Sequence, residues 1–187
     1  PKANHWHLTK NGDKTPEHVF KATRDPFWFT CETCFHDFEI SLCNVSSNNR
    51  WCPYCSKTHP KFCDDDDCQF CFNNSFASCE KSNYWHPTKN GDLKPRNVSR
   101  MNDMKIWFRC NECPHDFEGT VNCISKGVWC PYCSNTKRCS DSNCQMCFDN
   151  SVASNPNSIY WHPTMNGSLK PRDIARGSNS KYWFTCG

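Results

Sequence analysis

Aliphatic side chains are scarce in this chain of 187 residues. Leu, Ile, Val and Met are too few for the layered interior of an ordinary domain, while Trp, Phe and Tyr make up 14% of the residues, so a single large aliphatic core is excluded. No run of 18 or more apolar residues occurs, which leaves no spanning helix of the usual length. Pro1 to His7 lack the charged-then-apolar pattern of a signal peptide, and Pro1 is not an initiator Met. The chain therefore reads as a soluble fragment. No Gly-rich phosphate loop, nucleophile elbow or His-x-Glu deaminase element is present, which removes three common enzyme classes.

What the sequence does have is cysteine, 18 in all, about a tenth of the chain and a sign of disulfide or metal staples. It also has internal repetition. "YWHPTKNGDLKPRNV" at 84–98 returns as "YWHPTMNGSLKPRDI" at 160–174, and an earlier version, "HWHLTKNGDKTPEHV", stands at 5–19. Each is followed by "FWFTCETC", "IWFRCNEC" or "YWFTCG", then in the first two by "HDFE", "WCPYC" and "CQFCFNNSFAS" or "CQMCFDNSVAS". The expected modules are 1–84, 85–160 and a partial 161–187. Because the third stops just after Cys186, the natural polypeptide is expected to continue.

Local signals give a coarse outline. Pro16, Pro95 and Pro171 suit the first turn of a short helix, "PFWFTC", "KIWFRC" and "DFEISLC" read as strands, and "NSFASCEK" as a short helix. Each module is a small α+β unit in the order short helix, strand, knuckle, hairpin, knuckle, short helix.

"WCPYC" raises three readings: a redox switch, half of a disulfide framework, or half of a metal site. Cys31-x2-Cys34 precedes Cys52-x2-Cys55, and Cys110-x2-Cys113 precedes Cys130-x2-Cys133, the spacing of a four-cysteine zinc site. A redox motif needs a thioredoxin-like βαβ setting, which is missing. A secreted disulfide framework is disfavoured by paired C-x2-C turns repeated in register. Zinc is the reading carried forward, about two ions per complete repeat.

A second cluster follows each pair: Cys63, Cys68 and Cys71, then Cys139, Cys144 and Cys147. Three thiolates call for a fourth ligand. Cys79 is the candidate in the first repeat, in competition with His86. The second repeat has Asn155 at the matching place and offers His162, or a water. Cys43 and Cys123 sit in a shifted register and read as packed thiols. His36 and His115 are expected to hydrogen-bond within the hairpin, and Trp28, Trp107, Trp183, Trp51 and Trp129 to form the core around zinc.

The motif order, W-H-x3-N-G-x2-K-P-R, W-F-x-C-x2-C-x-H-D-F, W-C-P-Y-C and C-x2-C-F-x-N-S-F-A-S, resembles a probable treble-clef or zinc-ribbon repeat family found in tandem in large DNA viruses and some bacteria. The resemblance covers nearly the whole chain. It implies tandem treble-clef zinc-ribbon modules with metal at the matched cysteines. Within that family the residue after "SFAS" is often His, so Cys79 there implies a fourth ligand, whereas Asn155 departs from the pattern. Treble clefs also form the core of His-Asn-His nucleases, and "WHPTKN" offers His86 and Asn90, but neither "SFASCEK" nor "SVASNPN" supplies the further metal-holding His.

The formal charge is +3. With two four-thiolate centres, a third completed by Cys79 and one of three thiolates, bound zinc would carry it to roughly −4. Positive charge gathers at Lys94, Arg96 and Arg100 and at Lys170, Arg172 and Arg176, with the arginines of each set expected one helical turn apart beside Trp85 or Trp161. Such a face suits phosphates or stacked bases. The first repeat has Glu17 in place of an arginine. The expectation is a non-catalytic, zinc-stapled binding module for nucleic acid in a reducing, intracellular setting, with neither a membrane nor a small-molecule substrate. The alternatives are an assembly component of a large DNA virus particle with protein partners, and, less favoured, the targeting array of a nuclease.

Overall fold

The computed structural model describes residues 2–57 and 60–186; Pro1, Thr58, His59 and Gly187, where the third repeat stops, lie outside them. The chain divides into two compact units, residues 1–83 with 90–104 and residues 84–89 with 105–187.

In the first unit, strand β1 (Pro26–Thr30) pairs antiparallel with β2 (Asp37–Ser41), placing Phe29 opposite Phe38 and Trp28 opposite Glu39. Alternation along β1 turns Phe27 and Phe29 inward. Helix α1 (Leu42–Ser46) follows β2 directly, and α2 (Gln69–Asn74) carries Cys71 on its buried side. The core is small and mixed: Phe27, Phe29 and Phe38 pack with Cys31, Cys34 and Cys52, and Trp6, Trp51 and Tyr54 close its edges. Trp51 meets Phe29 and Phe38 edge to face at 5.3 and 5.0 Å between ring centroids. Aromatic geometry thus does the work that aliphatic layers do elsewhere.

The second unit repeats the plan with β3 (Lys105–Arg109), β4 (Asp116–Thr120), α3 (Val121–Ser125) and α4 (Gln145–Asp149). Phe108 pairs with Phe117, and Trp129 stands edge-on to both at 5.8 and 5.0 Å. Phe108 has no exposed surface. Phe108→Ala is expected to cost about 3–5 kcal/mol in chemical denaturation of the zinc-loaded protein, through lost transfer energy and the cavity left in a core too small to collapse around it.

The outline differs from the sequence-based one in three respects. The first knuckle is the turn of the β-hairpin, since Cys31 donates its amide to the His36 carbonyl at 3.0 Å and Cys110 to that of His115 at 3.1 Å. A strand and a short helix, not a hairpin, therefore separate the two knuckles. Secondly, the proline turns are three-residue 3-10 segments at Pro16–His18, Pro95–Asn97 and Pro171–Asp173, after which the chain extends. Arg96 and Arg100 accordingly do not share a helical face, and neither do Arg172 and Arg176. Thirdly, the expected boundary between residues 84 and 85 is crossed, because residues 90–104 group with the first unit. The physical reason is a short bridge: Ser75 pairs with Ser99, and the Phe76 amide donates to the Val98 carbonyl at 2.7 Å over a buried Phe76 and Val98. Ser151 pairs with Ala175, and Val152 donates to Ile174, in the same manner.

Candidate metal centres

The hairpin turn and the "WCPYC" turn converge in each unit. Cys31 Sγ lies 3.7 Å from Cys55 Sγ, and Cys34 Sγ lies 3.5 Å from Cys52 Sγ. In the second unit Cys110 meets Cys133, and Cys113 meets Cys130, both at 3.6 Å. These separations are far beyond a sulfur–sulfur bond, and none of these eight cysteines is in a disulfide. They match the edge of a tetrahedron whose centre stands about 2.3 Å from each sulfur, the zinc–thiolate distance. The sulfurs of Cys31, Cys34, Cys52 and Cys55, and those of Cys110, Cys113, Cys130 and Cys133, all lie within 4.8 Å of one another in their group.

Titration behaviour gives a second test of fit. Burial raises Cys31, yet backbone hydrogen bonds from Cys34 and Thr33 outweigh it and bring the thiol down to about 7. Burial pushes Cys52 up to about 12 and Cys55 up as well, with nearby thiols adding to the effect. Cys110 goes down while Cys113 and Cys133 go up. Four crowded sulfurs can release one proton but not four unless a cation lies among them. The donor set is that of a closed, structural zinc site.

The second cluster is completed by a residue that the sequence reading placed elsewhere. His36 joins Cys63, Cys68 and Cys71, and His115 joins Cys139, Cys144 and Cys147, with all ligand atoms of each group within 4.8 Å of one another. His36 Nε2 stands 3.3 and 3.5 Å from the sulfurs of Cys68 and Cys71, and His115 Nε2 stands 3.4 and 3.6 Å from those of Cys144 and Cys147. Burial lowers both imidazoles below their ordinary range, which favours the neutral, ligating form. Tyr54 and Tyr132 of the two "CPYC" turns stack on these rings at 4.2 and 4.1 Å, nearly parallel, and hold them in plane. His115 also brings Nδ1 to 3.2 Å from Cys113 Sγ, so one ring touches both centres of its unit.

The fourth-ligand expectations are corrected accordingly. Cys79 is in no ligand group among the described residues; its amide instead closes the turn onto the Phe76 carbonyl at 2.9 Å. His86 is buried and spends both nitrogens, Nε2 on Asp116 at 2.8 Å and Nδ1 on the amides of Thr88 and Lys89. His162 accepts from the amides of Thr164 and Met165 through Nδ1 and joins no ligand group among the described residues. His7 repeats the arrangement with Asp37 at 2.9 Å. These histidines are staples of the Trp-His-x3-Asn turn, and this accounts for a motif that otherwise suggests a nuclease. Of the two packed-thiol assignments, Cys43 is half-buried and Cys123 is exposed. The five core tryptophans are half-buried except Trp183, which is exposed.

Four centres, two per complete repeat, follow among the described residues. The His ligands lie 32 and 29 positions before the loop cysteines they meet, a separation that favoured nearer candidates in the sequence. The available signal was the repetition of Cys-x2-Cys-x-His in both units that carry a three-cysteine loop.

The residues expected to meet nucleic acid divide into two sets. Lys94, Arg100, Lys170 and Arg176 are exposed. Arg96 Nη2 instead donates to the carbonyls of Asp65 and Cys68 at 2.8 and 3.1 Å, and Arg172 Nη2 to those of Asp141 and Cys144, the latter at 3.0 Å. With two four-thiolate centres at −2 each and two Cys3His centres at −1 each, the formal +3 becomes about −3, close to the sequence-based sum.

Comparison with known proteins agrees with this chemistry. Residues 3–58 and 82–136 match the family described as a probable treble clef zinc finger domain. An uncharacterized protein of Acanthamoeba polyphaga mimivirus is 33% identical over 191 residues. That alignment takes in all of this chain and 45% of the relative, so the chain spans less than half of the relative's length. The three-cysteine loops, 63–71 and 139–147, fall outside the family match.

Proposed function

This chain belongs to the probable treble clef zinc finger family, and we propose that it is a non-catalytic, zinc-stapled array whose partners are proteins within a larger assembly, such as a virus particle. The observation that carries this reading is the inward turn of Arg96 and Arg172, which removes one guanidinium from each basic set and commits it to backbone carbonyls. A net charge of about −3 after metallation adds repulsion from phosphate. Leu8, Phe20 and Phe35 are 93%, 87% and 80% exposed, an apolar complement suited to protein contacts. The centres themselves offer no open coordination position for substrate, since four protein ligands fill each tetrahedron. Among the described residues, no helix is long and apolar enough to cross a membrane.

Nucleic-acid binding is the second reading, favoured by the exposed Lys94, Arg100, Lys170 and Arg176. A binding assay separates the two. The zinc-loaded protein is expected to show no saturable affinity for duplex or single-stranded DNA or RNA at about 50 mM salt, where phosphate contacts are strongest. Saturable binding that weakens steeply with salt, and is lost in the Arg100→Ala/Arg176→Ala double variant, would replace the assembly reading with the nucleic-acid one.

A further inference from the structure

Arg96 and Arg172 each lie 31 and 28 residues after the two loop residues they touch and belong to the opening motif of the next sequence repeat. Each reaches back to the three-cysteine loop before it. The two contacts are alike: one Nη2 bridges the carbonyl two residues after the first loop cysteine and the carbonyl of the second loop cysteine. In both arginines Nε and Nη1 are buried and have no hydrogen-bond acceptor among the described residues. A cation placed in this way needs a compensating anion, and a Cys3His centre holding a divalent ion carries one net negative charge. Glu17, at the corresponding place in the first segment, is exposed and makes no such contact among the described residues.

We propose that each of these arginines is a clasp, tying the opening turn of one repeat to the second metal centre of the repeat before it, so that filling this centre fixes the junction between successive repeats. The inference rests on metal loading of the Cys3His centres and is independent of whether the partner is protein or nucleic acid. The guanidinium suits the task because its Nη2 alone carries two N–H donors, one for each carbonyl, at the end of a long side chain whose charge does not titrate. A bare three-cysteine loop has neither fixed carbonyls nor the anionic charge to hold it. The clasp stands beside the bridge formed by Ser75 with Ser99 and by Phe76 with Val98, so the stretch that would move when the centre empties is 94–100.

The test uses the full chain. Zinc competition against a chromophoric chelator should resolve four ions, and Arg96→Met should weaken one of them by about 10–100-fold, the range typical of an outer-shell partner, leaving the four-thiolate pair unchanged. Cobalt substitution identifies the weakened ion through the absorption of a three-sulfur, one-nitrogen centre. Amide hydrogen exchange should then show loss of protection at Phe76 and Arg100 in Arg96→Met, and the same loss in His36→Ala, which empties the centre from the other side. Arg96→Lys keeps the charge, but its ammonium ends one bond short of the Nη2 position that meets the two carbonyls, and it should fall near the Met variant. Arg100→Met is the exposed control. Wild-type affinity in Arg96→Met, a lysine that restores it, or an equal loss in Arg100→Met would each overturn the clasp.

Discussion

Treating the zinc-loaded protein with excess EDTA is expected to abolish its tertiary structure. The near-UV signal of the tryptophans packed on the hairpins should disappear as metal leaves, and four equivalents of zinc should restore it. The reason lies in the make-up of the core. Phe29 and Phe38 enclose Cys31, Cys34 and Cys52, and Phe108 and Phe117 occupy the same place beside Cys110, Cys113 and Cys130. Without a cation those sulfurs are crowded neighbours in a desolvated pocket, with burial and the nearby thiols driving Cys52, Cys55, Cys113 and Cys133 upward, Cys52 and Cys133 to about 12. Structural zinc contributes on the order of 10 kcal/mol or more of apparent binding free energy per site, comparable with the whole stability of a small domain. Each unit has two such centres and only a thin aromatic layer besides. A near-UV spectrum that persists after elemental analysis shows no bound metal would refute this account of the stability.

The second large effect concerns the imidazoles. Replacing His115 or His36 by Ala should lower bound zinc from four ions to three at moderate free-metal levels and weaken the affected centre by more than the ~10–100-fold expected for an outer-shell partner. Cys79→Ser and His162→Asn should keep all four ions. The contrast is sharp because Cys79, His86 and His162 were the fourth-ligand candidates in the sequence, whereas His36 and His115 were expected only to hydrogen-bond within the hairpin. His115 presents Nε2 to two loop sulfurs and Nδ1 to Cys113, whereas His86 has both nitrogens engaged by Asp116 and by backbone amides. In cobalt-loaded protein, His115→Ala should alter the absorption of the mixed sulfur–nitrogen centre and leave the four-sulfur bands in place. Loss of an ion from Cys79→Ser with none from His36→Ala would return the fourth-ligand role to the cysteine.

The sequence by itself determined the repeat, the four-cysteine centres and the aromatic strands. All three are written in short-range spacing: a C-x2-C turn brings two sulfurs to one ion whatever surrounds it, and alternation along "PFWFT" assigns Phe27 and Phe29 to one face. The count of two ions per repeat followed from the same arithmetic. Tertiary structure decided what depended on distance along the chain. His36 and His115 reach their loops because the hairpin turn and the "CPYC" turn share one ion, which brings the residue just past the first knuckle over the tyrosine of the second. Arg96 and Arg172 turn inward because the chain extends after its proline turn to pair with the segment following α2 or α4, bringing the guanidinium over the cysteine loop. Spacing fixes which residues can share an ion locally; only the folded chain determines which distant side chain supplies the last ligand and which charge balances it.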